Sequence, residues 1–301
     1  MPPEKTVNDK QANTNFQLFN IGGIEIAKVV DTVERFSPKA LYMDKDRDSF
    51  DEHLDWLQPH FLDEAKRMLL SIHSFVLKTR HHNILVDTCI GNHKVGNGFP
   101  QWNNREGNYL AELAAANCRP EDIDYVFCTH MHVDHTGWNT QLKDGRWVPT
   151  FPNAKYLFNE REWAGLKESS YEYDQAVLKQ NIVPIIEANQ VQWVDDAWTI
   201  DDQVSLLPTP GHTPGHCSVA LNDGSSRAVI TGDMMIHPVQ IAEPQWRQSG
   251  DYDKEMAVAT RSAFIDNHCD QDILILGTHF NTPTGVYIEE QQGRRRIRLE
   301  S

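Results

Sequence analysis

The chain has little positive charge, few cysteines and no long apolar segment. Its 28 lysines and arginines are outnumbered by 43 aspartates and glutamates, which gives a formal net charge of −15. Such a surface repels the phosphates of DNA and RNA, so we expect no nucleic-acid partner. No run of about 18 apolar residues occurs, which predicts that no helix crosses a membrane. The polar segment 1–15 also lacks the apolar core of a signal peptide.

Cysteine is scarce and shows no pattern. The chain has five cysteines, and no two of them have Cys-x-x-Cys spacing. An odd number without paired spacing is typical of reduced thiols in a protein core rather than of a disulfide framework. We therefore expect a cytoplasmic location. The residues are Cys89, Cys118, Cys128, Cys217 and Cys269.

The run Thr-His-Met-His-Val-Asp-His-Thr-Gly carries most of the functional information. It follows residues 125–128, a short apolar stretch that is typical of a buried strand. His130 and His132 would point the same way on an extended backbone, because side chains alternate with a period of two. Asp134 and His135 follow where the chain turns, so they can face a second point nearby. The alternative is a polar loop that is rich in histidine by chance.

Three more strand-like runs are each followed by a histidine or an aspartate. The runs are 203–207, 227–231 and 273–276, and the residues beyond them are His212, Asp233 and His279. A single strand with such an ending is ordinary. Together with the strand before His130 there are four such strands, and four indicate one site assembled along a sheet edge.

With these motifs, the sequence resembles the metallo-β-lactamase superfamily of metal-dependent hydrolases over roughly residues 70–280. The resemblance implies an α/β fold built as a four-layer αββα sandwich, in which two mixed sheets pack face to face with helices outside. We expect a single domain over residues 1–301. It would have a polar N-terminal extension at about 1–15 and a basic C-terminal tail at about 293–301. We expect the arginines of this tail to form a solvated strand or a salt-bridging edge.

The resemblance also implies a site for two metal ions. It assigns His130, His132 and His212 to the first ion, Asp134, His135 and His279 to the second, and Asp233 to a bridge between them. Nitrogen and carboxylate ligands suit Zn²⁺, and they also suit Fe, Mn or Co. His216 lies four residues after His212, but the set of seven is complete, so we expect a supporting role for it.

The ligand set limits which branches of the superfamily the sequence can resemble. Dizinc β-lactamases have a cysteine where Asp233 stands, which makes antibiotic hydrolysis a poor fit. Residues 231–240 look like the corresponding segment of acyl-homoserine lactonases and of methyl parathion hydrolase. The better-known lactonases have a tyrosine at the position of Ile236. Glyoxalase II is a weaker match, because Trp138 replaces the second glycine of its usual Gly-Gly pair.

The chemistry that the resemblance implies is hydrolysis. A water shared by two cations loses a proton near neutral pH, and the resulting hydroxide attacks a carbonyl or phosphoryl centre. We expect Asp134 to hold this nucleophile and to pass its proton to the leaving group. His237 is a second candidate, either as proton donor or as substrate contact, and the alternative for it is a merely structural role.

Substrate selection is expected from a long loop at residues 87–104. Phe99 and Trp102 on this loop could contact an apolar substrate, and Met234 and Met235 could add adaptable walls. The alternative is that these side chains belong to the core or to a subunit interface. His93 and Lys94 could orient a polar group, although solvated loop charges are commoner.

Two classes of function stay open. The first is a dinuclear hydrolase acting on a small neutral ester or lactone, with phosphotriesterase, arylesterase and thioesterase activities as neighbours. The second is a non-catalytic protein that keeps its metals and binds a signal molecule. In both classes the partner is a small molecule, no membrane is involved, and a homodimer is left open.

Hydrophobic spacing predicts the remaining elements. We expect hairpins near residues 16–30 and 71–87. Helical spacing is found at 61–70, 105–117, 160–168, 171–181 and 251–267. The fourth of these helices should end near Pro184, because proline breaks a helix interior.

Overall fold

A computed structural model describes residues 16–300 of the chain. The strands are β1 (Phe16–Ile21), β2 (Ile24–Phe36), β3 (Met68–Lys78), β4 (Asn83–Val86), β5 (Tyr125–Phe127), β6 (Thr140–Lys143), β7 (Arg146–Pro149), β8 (Lys155–Asn159), β9 (Val191–Val194), β10 (Val204–Pro208), β11 (Cys217–Asp223), β12 (Ser226–Ile230), β13 (Ile273–Leu276), β14 (Gly285–Gln291) and β15 (Arg294–Leu299). The α-helices are α1 (Pro38–Leu41), α2 (Leu54–Leu57), α3 (Tyr109–Ala115), α4 (Val133–Thr136), α5 (Glu160–Glu168), α6 (Glu172–Val177), α7 (Val183–Glu187), α8 (Val239–Ala242) and α9 (Lys254–His268).

Two mixed sheets form the centre of the fold. One has the strand order β1-β2-β3-β4-β5-β8-β9 and the other the order β10-β11-β12-β13-β14-β15, while β6 and β7 form a separate hairpin. Parallel pairs join β4, β5, β8 and β9 in the first sheet and join β12 to β13 in the second. Most other neighbours are antiparallel, as in the hairpins β1–β2 and β3–β4 that the sequence predicts.

Successive side chains of each strand point to opposite faces of its sheet, one towards the other sheet and one towards the helices. On β3, Phe75 and Leu77 lie in an apolar cluster with Leu221 and Leu276 of the second sheet. Val76, which points the other way, lies in the cluster of the outer faces. The two sheets therefore bury their inner faces against each other, and this hydrophobic burial is a main stabilising contribution to the fold.

Helices cover the outer faces. Leu113 of α3 belongs to the same cluster as Val126 of β5, and Phe264 of α9 to the same cluster as Ile275 of β13. The expected four-layer αββα arrangement is confirmed.

The strand ends place the candidate site at one edge of the sandwich. Val86 of β4 pairs with Phe127 of β5, so both parallel strands end at the same level. Ile230 of β12 pairs with Leu276 of β13 in the same way. The segments that follow these strands therefore meet where the two sheets adjoin, as is usual for ligand sites in α/β folds.

Two expectations for individual elements are wrong. Segment 61–70 is not helical, because a turn at 63–66 is closed by a bridge between Leu62 and Met68, and β3 begins at Met68. Helical turns continue past Pro184 to Glu187, since Pro184 occupies the first turn of α7, where no intrahelical N–H bond is lost. The basic segment near the C-terminus forms the strand β15, whose Arg298 pairs with Glu289, in line with the expected salt-bridging edge.

Some expectations concern the chain as a whole. No helix within residues 16–300 is long and apolar enough to cross a membrane. All five cysteines are buried and free of disulfide bonds. The expected extension at 1–15 lies outside the described residues.

Candidate metal centre

The first group of predicted ligands comes from two loops. The β5–α4 loop carries His130 and His132, and the loop after β10 carries His212. The Nδ1 atom of His132 lies 2.9 Å from Nε2 of His130 and 3.1 Å from Nε2 of His212. Three imidazole nitrogens therefore converge on one point, which is the geometry of ligands to a common cation.

A second group lies beside the first. Asp134 and His135 lie on α4, the single helical turn that follows His132, and His279 follows β13. The Nε2 atoms of His135 and His279 are 3.3 Å apart. The Asp134 carboxylate lies 3.5 Å from His279 Nε2 and 3.7 Å from His135 Nε2.

Asp233 lies between the two groups. Its Oδ2 atom is 3.6 Å from His212 Nε2 and 3.9 Å from His130 Nε2. Its Oδ1 atom is 3.0 Å from His279 Nε2 and 3.3 Å from His135 Nε2. Each carboxylate oxygen thus faces a different group, an arrangement that suits a bridging ligand.

The donor chemistry fits divalent metal ions. Imidazole nitrogens and carboxylate oxygens without a thiolate are typical of zinc and of neighbouring transition metals. Asp233 Oδ1 is buried, and although the Nε2 atoms of His279 and His135 face it, it makes no hydrogen bond of good geometry among the described residues. An unpaired buried carboxylate oxygen is costly, and a bound cation removes that cost.

The protonation states differ between the two groups. Burial lowers the pKa of His130 and His132 well below the usual range, which keeps their imidazoles neutral. Burial opposes protonation of His135 as well, but the carboxylates of Asp233, Asp87 and Asp134 together outweigh it and raise the pKa of His135 well above its ordinary value. Burial alone would raise the pKa of Asp233. The imidazoles of His279 and His135 nevertheless hold this pKa well below its usual range. Cations at the second group must therefore displace protons.

Further polar groups fix the orientation of the imidazoles. Asp87 Oδ2 lies 3.0 Å from His135 Nδ1, and Asp251 Oδ1 lies 3.0 Å from His212 Nδ1. The Nδ1 atom of His279 lies 3.1 Å from the carbonyl oxygen of Ser71. Such contacts leave the opposite nitrogen of each ring available as a ligand. The sequence reasoning did not identify Asp87 or Asp251 in these positions.

His216 supports the centre without belonging to either group. Its Nε2 accepts a hydrogen bond from the backbone N–H of Asp233 at 2.9 Å, and its Nδ1 lies 2.9 Å from Thr209 Oγ1. Gly232 has a φ of 57°, and a Cβ there would lie 2.4 Å from His216 Nε2. His216 thus holds the turn that presents Asp233, which agrees with the expected supporting role.

Glu162 joins the two loops that carry the first group. It lies on α5 and is 4% exposed. Its Oε2 accepts a hydrogen bond from the N–H of Met131 at 3.1 Å, and its Oε1 accepts one from the N–H of Gly215 at 2.8 Å. Met131 lies between His130 and His132, and Gly215 lies three residues after His212. One buried carboxylate therefore fixes the distance between the loops.

A cavity of about 410 Å³ opens onto both groups. His132, Asp134, His212, Asp233 and His279 lie at its polar end. Its other walls are largely apolar and include Phe36, Leu41, Leu70, Ile72, Phe99, Trp102 and Ile236. An apolar cavity with a few convergent polar groups is the usual form of a small-molecule site.

Phe99 and Trp102 line this cavity, as their predicted role requires. Their ring centroids are 4.5 Å apart, and each ring also contacts Phe36. The loop that carries them is held by Lys94. This side chain is fully buried, so it is neither the solvated charge nor the substrate contact considered from the sequence. Its Nζ donates to Thr140 Oγ1 at 2.6 Å. The loop is therefore tied to the body of the protein.

Three predicted substrate contacts lie elsewhere. Met234, Met235 and His237 are buried in the core and are not among the residues that line the cavity. His237 Nε2 donates to the carbonyl oxygen of Phe61, and its Nδ1 accepts from the N–H of Val239. Burial lowers the pKa of His237 to about 4. With both nitrogens occupied, His237 has neither the position nor the charge of a proton donor.

Comparison with known proteins identifies the family of the chain. Residues 67–266 match the family model described as the metallo-beta-lactamase superfamily. An N-acyl homoserine lactonase from a Bacillus species is 27% identical over 172 residues, which are 54% of this chain and 62% of that protein. The chain thus spans less than two thirds of the length of that relative.

Solved structures show the same fold over nearly the whole chain. AidC, described as a dizinc quorum-quenching lactonase in complex with a product, is 20% identical with a TM-score of 0.77. The match covers 95% of this chain and 98% of AidC. The hydrolase AbOPH of the beta-lactamase superfamily is 25% identical with a TM-score of 0.80, over 96% of this chain and 98% of AbOPH.

Proposed function

We propose that this chain, which belongs to the metallo-β-lactamase superfamily, is a dinuclear-metal hydrolase that cleaves a small neutral ester or lactone. The observation that carries the proposal is the carboxylate of Asp233, whose two oxygens face two separate groups of ligands. Two Zn²⁺ ions would be held as the sequence predicts, with Fe, Mn or Co as substitutes. We propose a cytoplasmic location, with which the free thiols agree.

The chain's own residues supply binding, orientation and proton transfer. Two bound divalent cations would supply Lewis-acid polarisation and activation of water. Asp134 lies at both the second group and the cavity, with 14% of its side chain exposed. Its carboxylate can accept a proton from the attacking water and release it to the leaving oxygen. Phe99 and Trp102 would hold the apolar part of the substrate and exclude water around it.

The residue at position 236 affects the choice of substrate. Ile236 lines the cavity and is 4% exposed, so an apolar side chain stands where the better-known lactonases have a tyrosine. Ile236 cannot donate a hydrogen bond to a substrate carbonyl. Acyl-homoserine lactones are therefore one class to test among several, and the apolar wall favours simple esters and lactones.

A substrate panel tests the proposed activity. Zinc-loaded protein should hydrolyse aryl and alkyl esters or lactones, and removal of the metal with a chelator should abolish the activity. Phosphotriesters and thioesters belong in the same panel as alternative classes. Hydrolysis of phosphotriesters alone, or hydrolysis that survives chelation, would contradict the proposal.

Replacing Trp102 with Ala should weaken binding of bulky apolar esters more than that of small ones. Loss of the buried contact should cost about 1–3 kcal/mol, so KM should rise roughly tenfold to a hundredfold for the bulky substrates. Steady-state kinetics on a homologous ester series measures the difference. Trp193→Ala, at an exposed position on β9, is the matched control. An equal loss for all chain lengths would mean that Trp102 is only structural.

Replacing Glu162 with Ala should weaken metal binding at the first group while leaving the second group nearly unchanged. The buried N–H groups of Met131 and Gly215 would lose their acceptor, and the two loops could then separate. We expect a loss of about 10-fold to 100-fold in affinity for the first ion, as for other residues that orient ligands. Titration with Co²⁺ followed by absorbance measures it, and the exposed Glu160→Gln on the same helix is the control. Equal weakening of both groups would contradict this role.

A further inference from the structure

A second cleft meets the apolar cavity at the candidate metal centre. It has a volume of about 640 Å³ and shares His132, His212, Tyr173, Ser249 and Gly250 with the cavity. Two of the shared residues are predicted ligands of the first metal ion. A bond held at this centre would therefore lie between the two spaces, with one on each side.

The two spaces have opposite linings. The cavity walls are made of side chains such as Phe99 and Trp102. The cleft is lined by hydroxyl and charged groups, which include Ser169, Ser170 and Thr213. Thr213 is 7% exposed, and its hydroxyl lies beside the Glu162 carboxylate. The cleft therefore suits a hydrophilic group that can form hydrogen bonds, whereas the cavity suits an apolar one.

The charge of the cleft has one dominant sign. The negative side chains that line the cleft outnumber the positive ones. They are Glu162, Glu168, Asp174 and Asp251, and the one lysine is Lys254. Glu162 and Asp251 are engaged with the loops of the metal centre, as described above. Glu168 is exposed, and Asp174 accepts a hydrogen bond only from Ser169 among the contacts resolved within residues 16–300. The carboxylates of Glu168 and Asp174 should offset the positive charge of metal ions bound nearby and so favour a neutral or cationic group over an anionic one.

Aromatic rings stand beside these carboxylates. The rings of Tyr171 and Tyr173 are stacked with centroids 5.5 Å apart, and Tyr171 is 64% exposed. Tyr252 is 76% exposed and also lines the cleft. Aromatic faces next to carboxylates are a common way to bind an ammonium group.

We infer that the substrate is an ester with two unlike arms. Its apolar acyl arm would occupy the cavity, and its hydrophilic alcohol arm, uncharged or cationic, would occupy the cleft. Hydrolysis would cleave the acyl C–O bond, with the oxygen of water passing to the acid and a proton to the alcohol. This inference rests on the proposed hydrolase activity and adds the chemical class of the leaving group.

The test uses zinc-loaded protein and three hexanoyl esters of similar size. Their alcohols are choline, 3,3-dimethylbutanol and 2-hydroxyethanesulfonate, which are cationic, neutral and anionic. We expect kcat/KM to fall in that order, with at least about a tenfold difference between the extremes at low salt and a smaller one at high salt. Glu168→Gln combined with Asp174→Asn should bring the three values close together. Glu172→Gln, an exposed position on α6 that does not line the cleft, should leave the order unchanged.

A second variant tests the space itself. Ser170→Trp would fill the cleft from an exposed position, and it should lower kcat/KM for the choline ester much more than for methyl hexanoate. Measured metal content should be unchanged, which separates this effect from damage to the centre. Equal rates for the three esters, or an order that survives the double substitution, would overturn the two-arm inference while leaving the hydrolase proposal intact. Absence of hydrolysis for every ester and lactone would overturn the proposed function itself.

Discussion

Replacing Asp134 with Asn should lower kcat by about 10²-fold to 10⁴-fold, the range typical of losing an acid–base group. Asparagine keeps the shape of the side chain and one oxygen that can bind metal, but it removes the negative charge and the basicity. The first group should keep its metal, because all three of its histidines remain. Steady-state kinetics together with elemental analysis measures both effects.

The dependence on leaving group makes this prediction specific. Nitrophenyl esters need little protonation of the departing oxygen, so Asp134→Asn should impair them less than it impairs alkyl lactones. Asp144→Asn, an exposed substitution at the β6–β7 turn, is the matched control. A variant that retains its metals and turns over alkyl lactones at a near-normal rate would remove Asp134 from proton transfer.

Replacing Asp233 with Ala should have the largest effect on metal content. Asp233 contributes one oxygen to each group, so both groups lose a ligand and four imidazoles lose the carboxylate between them. We expect affinity to fall by more than the 10-fold to 100-fold that residues orienting a ligand typically contribute, with hydrolysis falling in parallel. Metal analysis after dialysis measures the loss.

Asp251→Asn provides a graded comparison for Asp233. Asp251 orients His212 without facing the centre, so its replacement should weaken the first group alone and by a smaller factor. If Asp233→Ala were to keep both metals as tightly as the unaltered protein does, the bridging role would be wrong.

The convergence of the predicted ligands could be expected from sequence because local rules determine their positions, whereas their assignment to two metal ions rests on the family resemblance. Each follows a short apolar strand, and parallel strands such as β4 and β5, or β12 and β13, must end at a shared edge. The motif that contains His130, His132, Asp134 and His135 holds four of the seven within six residues. Its short spacing leaves few alternative arrangements.

The surroundings of the centre could not be predicted in this way. Asp251 contacts His212, which is 39 residues away in sequence, and Glu162 contacts Met131, which is 31 residues away. No local sequence pattern indicates either contact. The side chain of His237 points into the core, whereas that of its neighbour Ile236 faces the cavity. This choice depends on how the turn after β12 packs against Phe61, which is a tertiary effect. Pairing of residues 68–70 with β2, together with the turn that precedes them, likewise overrides the helical spacing at 61–70.

A metal titration coupled to hydrolysis tests the central claim most directly. Protein stripped with a chelator would receive Zn²⁺ in measured equivalents, while bound metal and the rate of hydrolysis of a chromogenic ester are followed together. We predict that binding saturates at two ions per chain and that full activity requires both. Saturation at one ion, or full activity without metal, would contradict the dinuclear account.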